Sequence, residues 1–242
     1  MTIEDALSPN QNERKHPVSL LVLHYTGMES GAAALARMQD EGAEVSAHYM
    51  VWEDGRITRL VPESARAWHA GISRWQGLED LNSRSVGIEI VNGGHDYPLP
   101  GGVLPPYPDA QIAAVIALSR EIMAHHGIPQ TGLVGHSDIA PARKIDPGGH
   151  FPWARLAEAG LGIWPAEETG AGCVWAGGDA MRLNTQLAAI GYDTGDIPAA
   201  LRAFQRRWMP DAITGMADAR TLARVAQIAA AYAAVSSSSP QA

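Results

Sequence analysis

Short β-rich apolar runs alternate with helical patterns through the first two thirds of the chain, and this alternation narrows the fold more than any other feature. Residues 19–25 (SLLVLHY) form an apolar run that ends in polar side chains, as a central strand does where it leaves a sheet. Residues 31–41 (GAAALARMQDE) carry an alanine-rich amphipathic helix pattern. Residues 48–61 read as a hairpin turning at Asp54 and Gly55. Further strands are predicted over 85–92 (SVGIEIVN) and 133–136 (LVGH). Between them, 108–127 has the clearest helix signature: Pro108 and Asp109 at its start, apolar residues three and four apart, and Gly127 beyond its end. Together these elements predict an α/β fold, a central mixed β-sheet flanked by helices.

The rest of the chain reads differently. Residues 166–178 are small and turn-forming, as a linker is. Three helical patterns follow, starting at Asp179, Ile197 and Asp218, separated by turn-rich stretches. They predict a small three-helix bundle, below the size that builds a generous core. The expected organisation is therefore a first domain over 1–165, a linker over 166–178, a helical domain over 179–235 and a disordered low-complexity tail over 236–242. Cys173, the only cysteine, lies in the linker and reads as inert, so no disulfide framework defines the fold.

A net charge of -8 excludes nucleic acid binding through overall charge. No run approaches the ~18 apolar residues that membrane insertion requires. The polar, partly acidic start lacks the basic and apolar regions of a signal peptide, so the expected location is cytoplasmic, with the envelope or periplasm as the alternative. A monomer is expected.

All nine histidines fall between His16 and His150, which places any imidazole chemistry in the first block. His24 ends the first apolar strand, and His136 follows the last. Alone, either reads first as a packed structural residue. Residues 143–149 (RKIDPGG) add a third element, with Lys144 and Asp146 two residues apart in a Pro/Gly-rich extended segment, hence on one side of it. Two imidazoles and a carboxylate make a plausible zinc set, because catalytic zinc keeps three protein ligands and one open position. Zinc makes water nucleophilic near neutral pH, and the reaction also needs a base and a cation for the developing oxyanion. Glu89, between two isoleucines in the 85–92 strand, is the candidate base, and Lys144 the candidate cation.

Several motifs resemble those of zinc-dependent N-acetylmuramoyl-L-alanine amidases of the AmpD-like, amidase type 2 family, whose superfamily includes the peptidoglycan recognition proteins. They are LVLHYTG from Leu21, VSAHYMVWEDG from Val45, AWHAG from Ala67, NSRSVGIEIVN from Asn82, VGHSDIAPARKIDPG from Val134 and FPW from Phe151. They cover roughly residues 17–160 in the family's order. The resemblance implies one zinc ion per chain on His24, His136 and Asp146, with Glu89 as the catalytic glutamate and Lys144 stabilising the oxyanion. It implies hydrolysis of the amide between N-acetylmuramic or anhydro-muramic acid and L-alanine of the stem peptide, in peptidoglycan turnover or recycling. Its partners would be muropeptides or peptidoglycan. Residues from Leu183 onward are similar to the peptidoglycan-binding domain appended to many wall hydrolases, with marks at Leu187, Gly191, Tyr192, Phe204, Gln205 and Gly215. The competing expectation is a binding module that has kept the groove and lost catalysis. The presence of both Asp146 and Lys144 favours the enzyme. A hydrolase for another amide is a third reading.

Other residues take lesser roles. His69, with Trp68, is expected to touch substrate or pack beside the groove, and His48 to pack there. Asn92 is expected to contact ligand or support the strand end. Trp75 reads equally as a sugar-stacking wall or a packing residue. Tyr25 should point away from His24. His125 and His126 suit a helix C-terminus, where positive charge is favoured, and His95 and His150 read as loop residues.

Overall fold

The computed structural model describes residues 2–164 and 179–238; the proposed linker and Cys173 lie outside the described residues. The first part of the chain runs β1 (Ile3–Asp5), β2 (Gln11–Glu13), β3 (Leu20–Tyr25), α1 (Gly31–Gln39), β4 (Tyr49–Val51), β5 (Ile57–Arg59), β6 (Ala65–Ala67), α2 (Leu81–Arg84), β7 (Ser85–Ile90), α3 (Asp109–His126), β8 (Leu133–Gly135), α4 (His136–Ile139) and α5 (Trp153–Glu158). The helical block contributes α6 (Asp179–Ile190), α7 (Ile197–Trp208) and α8 (Ala219–Ser238).

Six strands form a mixed sheet in the order β1-β5-β4-β7-β3-β8, in which only β4 and β5 pair antiparallel. That pair is the hairpin expected at Asp54-Gly55, and Gly55 has a φ of 86°. Strands β2 and β6 make a separate antiparallel ribbon.

Every residue of β3 is buried, because both faces of the sheet are covered. Leu21 and Leu23, with Val86, Ile88 and Ile90 of β7, pack beneath Ile112, Val115, Leu118 and Ile122 of α3. Leu20 and Val22, with Val134 of β8, face the other way and join Leu187, Ile190, Phe204 and Trp208 of the helical block in one apolar cluster. The small bundle therefore extends its core onto the sheet. Each fully buried leucine or isoleucine there contributes about 1.5–3 kcal/mol.

Trp75 belongs to this shared core. It is fully buried, edge-on to Tyr192 at 5.1 Å between ring centroids, so it packs and offers no sugar platform. Gly191 makes room for it: at a φ of 136°, any Cβ there would lie 2.5 Å from the indole. Helix α8 continues into the serine run expected to be disordered, and Ser237 Oγ donates back to the carbonyls of Ala233 and Ala234.

Candidate active site

Strand register places the first two residues. His24 pairs with Glu89 across the parallel β3–β7 ladder, so both project from the same face at the C-terminal end of the strands. On the other side of β3 the ladder ends at Leu23 and Gly135, and His136 follows as the first residue of α4. The Ser137 amide donates to the Asp146 carbonyl at 2.9 Å, drawing the 144–146 segment back against His136. The result is a buried triangle: His24 Nδ1 is 2.9 Å from His136 Nδ1 and 3.0 Å from Asp146 Oδ2, which is 3.1 Å from His136 Nδ1.

Neighbouring hydrogen bonds fix which atoms carry protons. His136 Nε2 lies 3.2 Å from the Ala70 carbonyl, which can only accept, so Nε2 holds the hydrogen and Nδ1 a lone pair. Ser85 Oγ donates to the Leu81 carbonyl at 2.6 Å and so accepts from His69 Nε2 at 3.2 Å. His69 Nδ1 is then an acceptor, and His24 Nε2 donates to it at 3.0 Å. His24 Nδ1 is left with its lone pair. Three acceptors thus converge with no hydrogen among them, an arrangement that a cation resolves. Donors about 2.0–2.1 Å from a tetrahedral zinc stand roughly 3.3 Å apart, so the triangle fits such an ion closely. His69, expected to touch substrate or to pack beside the groove, hydrogen-bonds His24 and supports it. Gly87 admits it, since a Cβ there would lie 2.6 Å from the His69 ring. A glycine two residues before a strand glutamate was the sequence signal for this contact.

Electrostatics agree with the geometry. Burial and then His136 depress His24 to about 4, keeping it neutral. Glu89 is pushed well above its ordinary value, first by burial and then by Asp146, with Lys144 partly offsetting them. Its enclosed Oε2 has no hydrogen-bond partner among the described residues. A buried carboxylate oxygen left free beside three ligand-type atoms is poised for reactants.

A cavity of about 470 Å³ gathers His24, His69, Glu89, His136, Lys144 and Asp146. A second depression of about 740 Å³, lined by Ile72, Arg74, Ile139, Pro141, Asp193 and Asp196 among others, adjoins it through Arg143. Sequence reasoning passed over Arg143, which donates to the Ala70 and Ile72 carbonyls at 2.9 Å each. Trp68, expected beside His69 at the substrate, points elsewhere, and Asn92 takes the second of its two expected roles. Trp68 donates its indole hydrogen to Asn12 at 2.8 Å, on the small ribbon. Asn92 is buried, with its amide bonded to the Pro105 and Pro106 carbonyls and to the Gly94 amide, so it supports the strand end. His48 is buried and accepts from the Gly87 amide at 2.9 Å. Tyr25, expected to point away from His24, lines the same cavity with its hydroxyl 3.1 Å from His95 Nδ1, and His95 and His150 lie in loops against Tyr25 and Tyr107.

A second His-His-carboxylate group lies at the end of α3, formed by Glu63, His125 and His126. Here Tyr49 Oη donates to Glu63 Oε1 at 2.6 Å and His126 pairs with Oε2 at 2.5 Å. The carboxylate is already satisfied by protein hydrogens.

A buried His-His-Asp donor set beside an enclosed glutamate and a lysine, in a cavity at the ends of parallel strands, makes a candidate hydrolytic metal centre. A family model described as N-acetylmuramoyl-L-alanine amidase matches residues 14–149. N-acetylmuramoyl-L-alanine amidase AmiD of Escherichia coli (strain K12) is 38% identical over 225 residues, covering 85% of this chain and 80% of the relative. The 1,6-anhydro-N-acetylmuramyl-L-alanine amidase AmpD of Haemophilus influenzae is 36% identical over 168 residues, covering 61% of this chain and 86% of its own. The structure of the E. coli AmiD complex with anhydro-N-acetylmuramic acid-L-Ala-D-γ-Glu-L-Lys superposes with a TM-score of 0.79 at 36% identity, covering 92% of this chain and 93% of that one. The chain belongs to the N-acetylmuramoyl-L-alanine amidase family, and it is an amide hydrolase.

Proposed function

We propose that the chain uses one zinc ion, held by His24, His136 and Asp146, to cleave the amide joining the lactyl group of N-acetylmuramic or anhydro-muramic acid to L-alanine of the stem peptide. The single observation that supports the site most is the convergence of three lone pairs whose partner hydrogens are committed elsewhere. The substrate class rests on the relatives, one of which is bound to an anhydro-muramyl peptide. When bound, the ion supplies Lewis acidity to the scissile carbonyl and to a water.

The protein's own groups do the rest. Glu89 takes the proton of the attacking water, and the C–O bond forms as that proton leaves. Burial raises the carboxyl, the direction that suits a group which must both accept and return a proton near neutral pH. Lys144 stabilises the developing oxyanion from the same cavity wall. Glu89 then passes its proton to the alanine nitrogen as the C–N bond breaks, giving a free carboxylic acid on the sugar and a free amino terminus on the peptide.

One chain supplies every residue of this site, so the reading takes a monomer as the working unit. The helical block, similar to wall-binding domains, would hold polymer or frame the cavity. Among the described residues, no helix is long and apolar enough to cross a membrane. Purified protein incubated with an anhydro-muramyl tripeptide should release the free peptide, and a chelator should stop release. A chain that binds the compound with no release, with or without added zinc, contradicts the proposal.

A further inference from the structure

The turn that begins with His136 is held from outside the sheet. Asp138, in the first turn of α4, is 1% exposed. Its Oδ2 accepts from the amide of Gly135, immediately before His136, at 2.8 Å. Two side chains of the helical block complete the carboxylate's shell. Arg207 of α7 donates to Oδ2 at 2.6 Å, and Tyr192, just beyond α6, donates to Oδ1 at 2.7 Å. The second arm of Arg207 donates to the Leu133 carbonyl at 2.8 Å, reaching the start of β8. The guanidinium lies between Trp153 and Trp208, 4.2 and 4.6 Å from their ring centroids, which fixes its plane.

Arg207 is 2% exposed. A charge pair so deeply buried stabilises little compared with apolar packing of the same volume, because both ions lose their water. What it does supply is direction. A forked donor and a phenol, both locked by packing, leave the Asp138 carboxylate one position, and through Gly135 they leave the His136 turn one position. Metal donors work within about 0.5 Å, and partners that orient them commonly change metal affinity 10- to 100-fold.

We infer that Tyr192 and Arg207 are positioning residues for the metal centre, acting through Asp138 on His136, so that the helical block completes the hydrolytic site. This rests on the assignment of His136 as a zinc ligand. Neither residue touches the three donors, and both lie in the second block, where the sequence offered no chemistry.

The test is a zinc affinity measurement by competition with a chromophoric chelator, alongside thermal unfolding of the metal-free protein. Tyr192→Phe removes one hydroxyl and no volume. It should raise the zinc Kd about tenfold while lowering the Tm no more than a core cavity does. Arg207→Met should raise it up to about 100-fold, and Arg207→Lys, a charge without the fork, should fall between Met and wild type. Leu187→Ala, a cavity in the same apolar cluster but outside the network, should lower the Tm and leave the zinc Kd unchanged. Tyr192→Phe with wild-type zinc affinity overturns the inference, and so does a Leu187→Ala protein whose affinity drops as far as that of Tyr192→Phe. Should Arg207→Met fail to fold, Tyr192→Phe still decides. Wild-type protein that takes up no zinc overturns the ligand assignment itself, an outcome distinct from wild-type uptake that Tyr192→Phe leaves unaltered.

Discussion

Among the described residues, two groups share the composition His-His-carboxylate: His24, His136 and Asp146 at the strand ends, and Glu63, His125 and His126 at the end of α3. Their neighbours make them different. In the buried group, each imidazole gives its Nε2 hydrogen to a fixed acceptor, His69 or the Ala70 carbonyl, so both Nδ1 lone pairs face the carboxylate. In the outer group, Tyr49 and His126 already satisfy both oxygens of Glu63, and His125 is exposed. Convergent ligand-type atoms make a metal site only when the surrounding hydrogen bonds leave their lone pairs unsatisfied.

Several variants test how far this contrast holds. The largest effect is expected at Glu89, which binds no metal yet shares its cavity. Glu89→Gln should keep zinc and lose about 10²–10⁴ in kcat, measured as peptide release alongside metal content. Lys144→Met should cost about 10²–10³ in kcat with little change in metal affinity. Next is the imidazole support: His69→Leu strips His24 Nε2 of its acceptor and should weaken zinc 10- to 100-fold by chelator competition.

The pH response follows from another buried imidazole. Burial, and then Arg14, hold His48 down to about 3. An unfolded chain takes up that proton near pH 6.5, so between pH 6.5 and 3 the unfolded state binds more protons. Stability is complete above that window and falls as pH drops through it, by about 1.4 kcal/mol per pH unit for one group. His48→Gln should flatten the slope by that amount, read from denaturant midpoints at pH 6.5, 5.5 and 4.5. The smallest effect belongs to the outer group, where Glu63→Gln should cost less than about 1 kcal/mol and leave zinc content and turnover unchanged.

Much of this was legible in the sequence, for physical reasons. The strands through His24 and Glu89 are long enough for apolar periodicity to register, and α3 carries its own stop in Gly127, whose φ is 64°. Both site residues stand at positions where alternation predicts a face. Other features had no such signal. Strands β1, β2 and β6 are three residues each, and β1 and β2 are polar, held by neighbours rather than by pattern. Trp68 and Asn92 sit in motifs that mark the groove, but a motif does not say which way a side chain turns. The Asp138–Arg207 pair is hidden for the opposite reason, since a lone aspartate and an Arg-Arg step read as solvated until the two blocks pack together.

The central claim is that one of the two look-alike groups holds zinc, and metal analysis after exhaustive dialysis tests it most directly. Wild-type protein reloaded with zinc should retain one ion per chain, His126→Ala should also retain one, and His136→Ala should retain none. Two ions on the wild type, loss of the ion in His126→Ala, or its retention in His136→Ala would contradict the account.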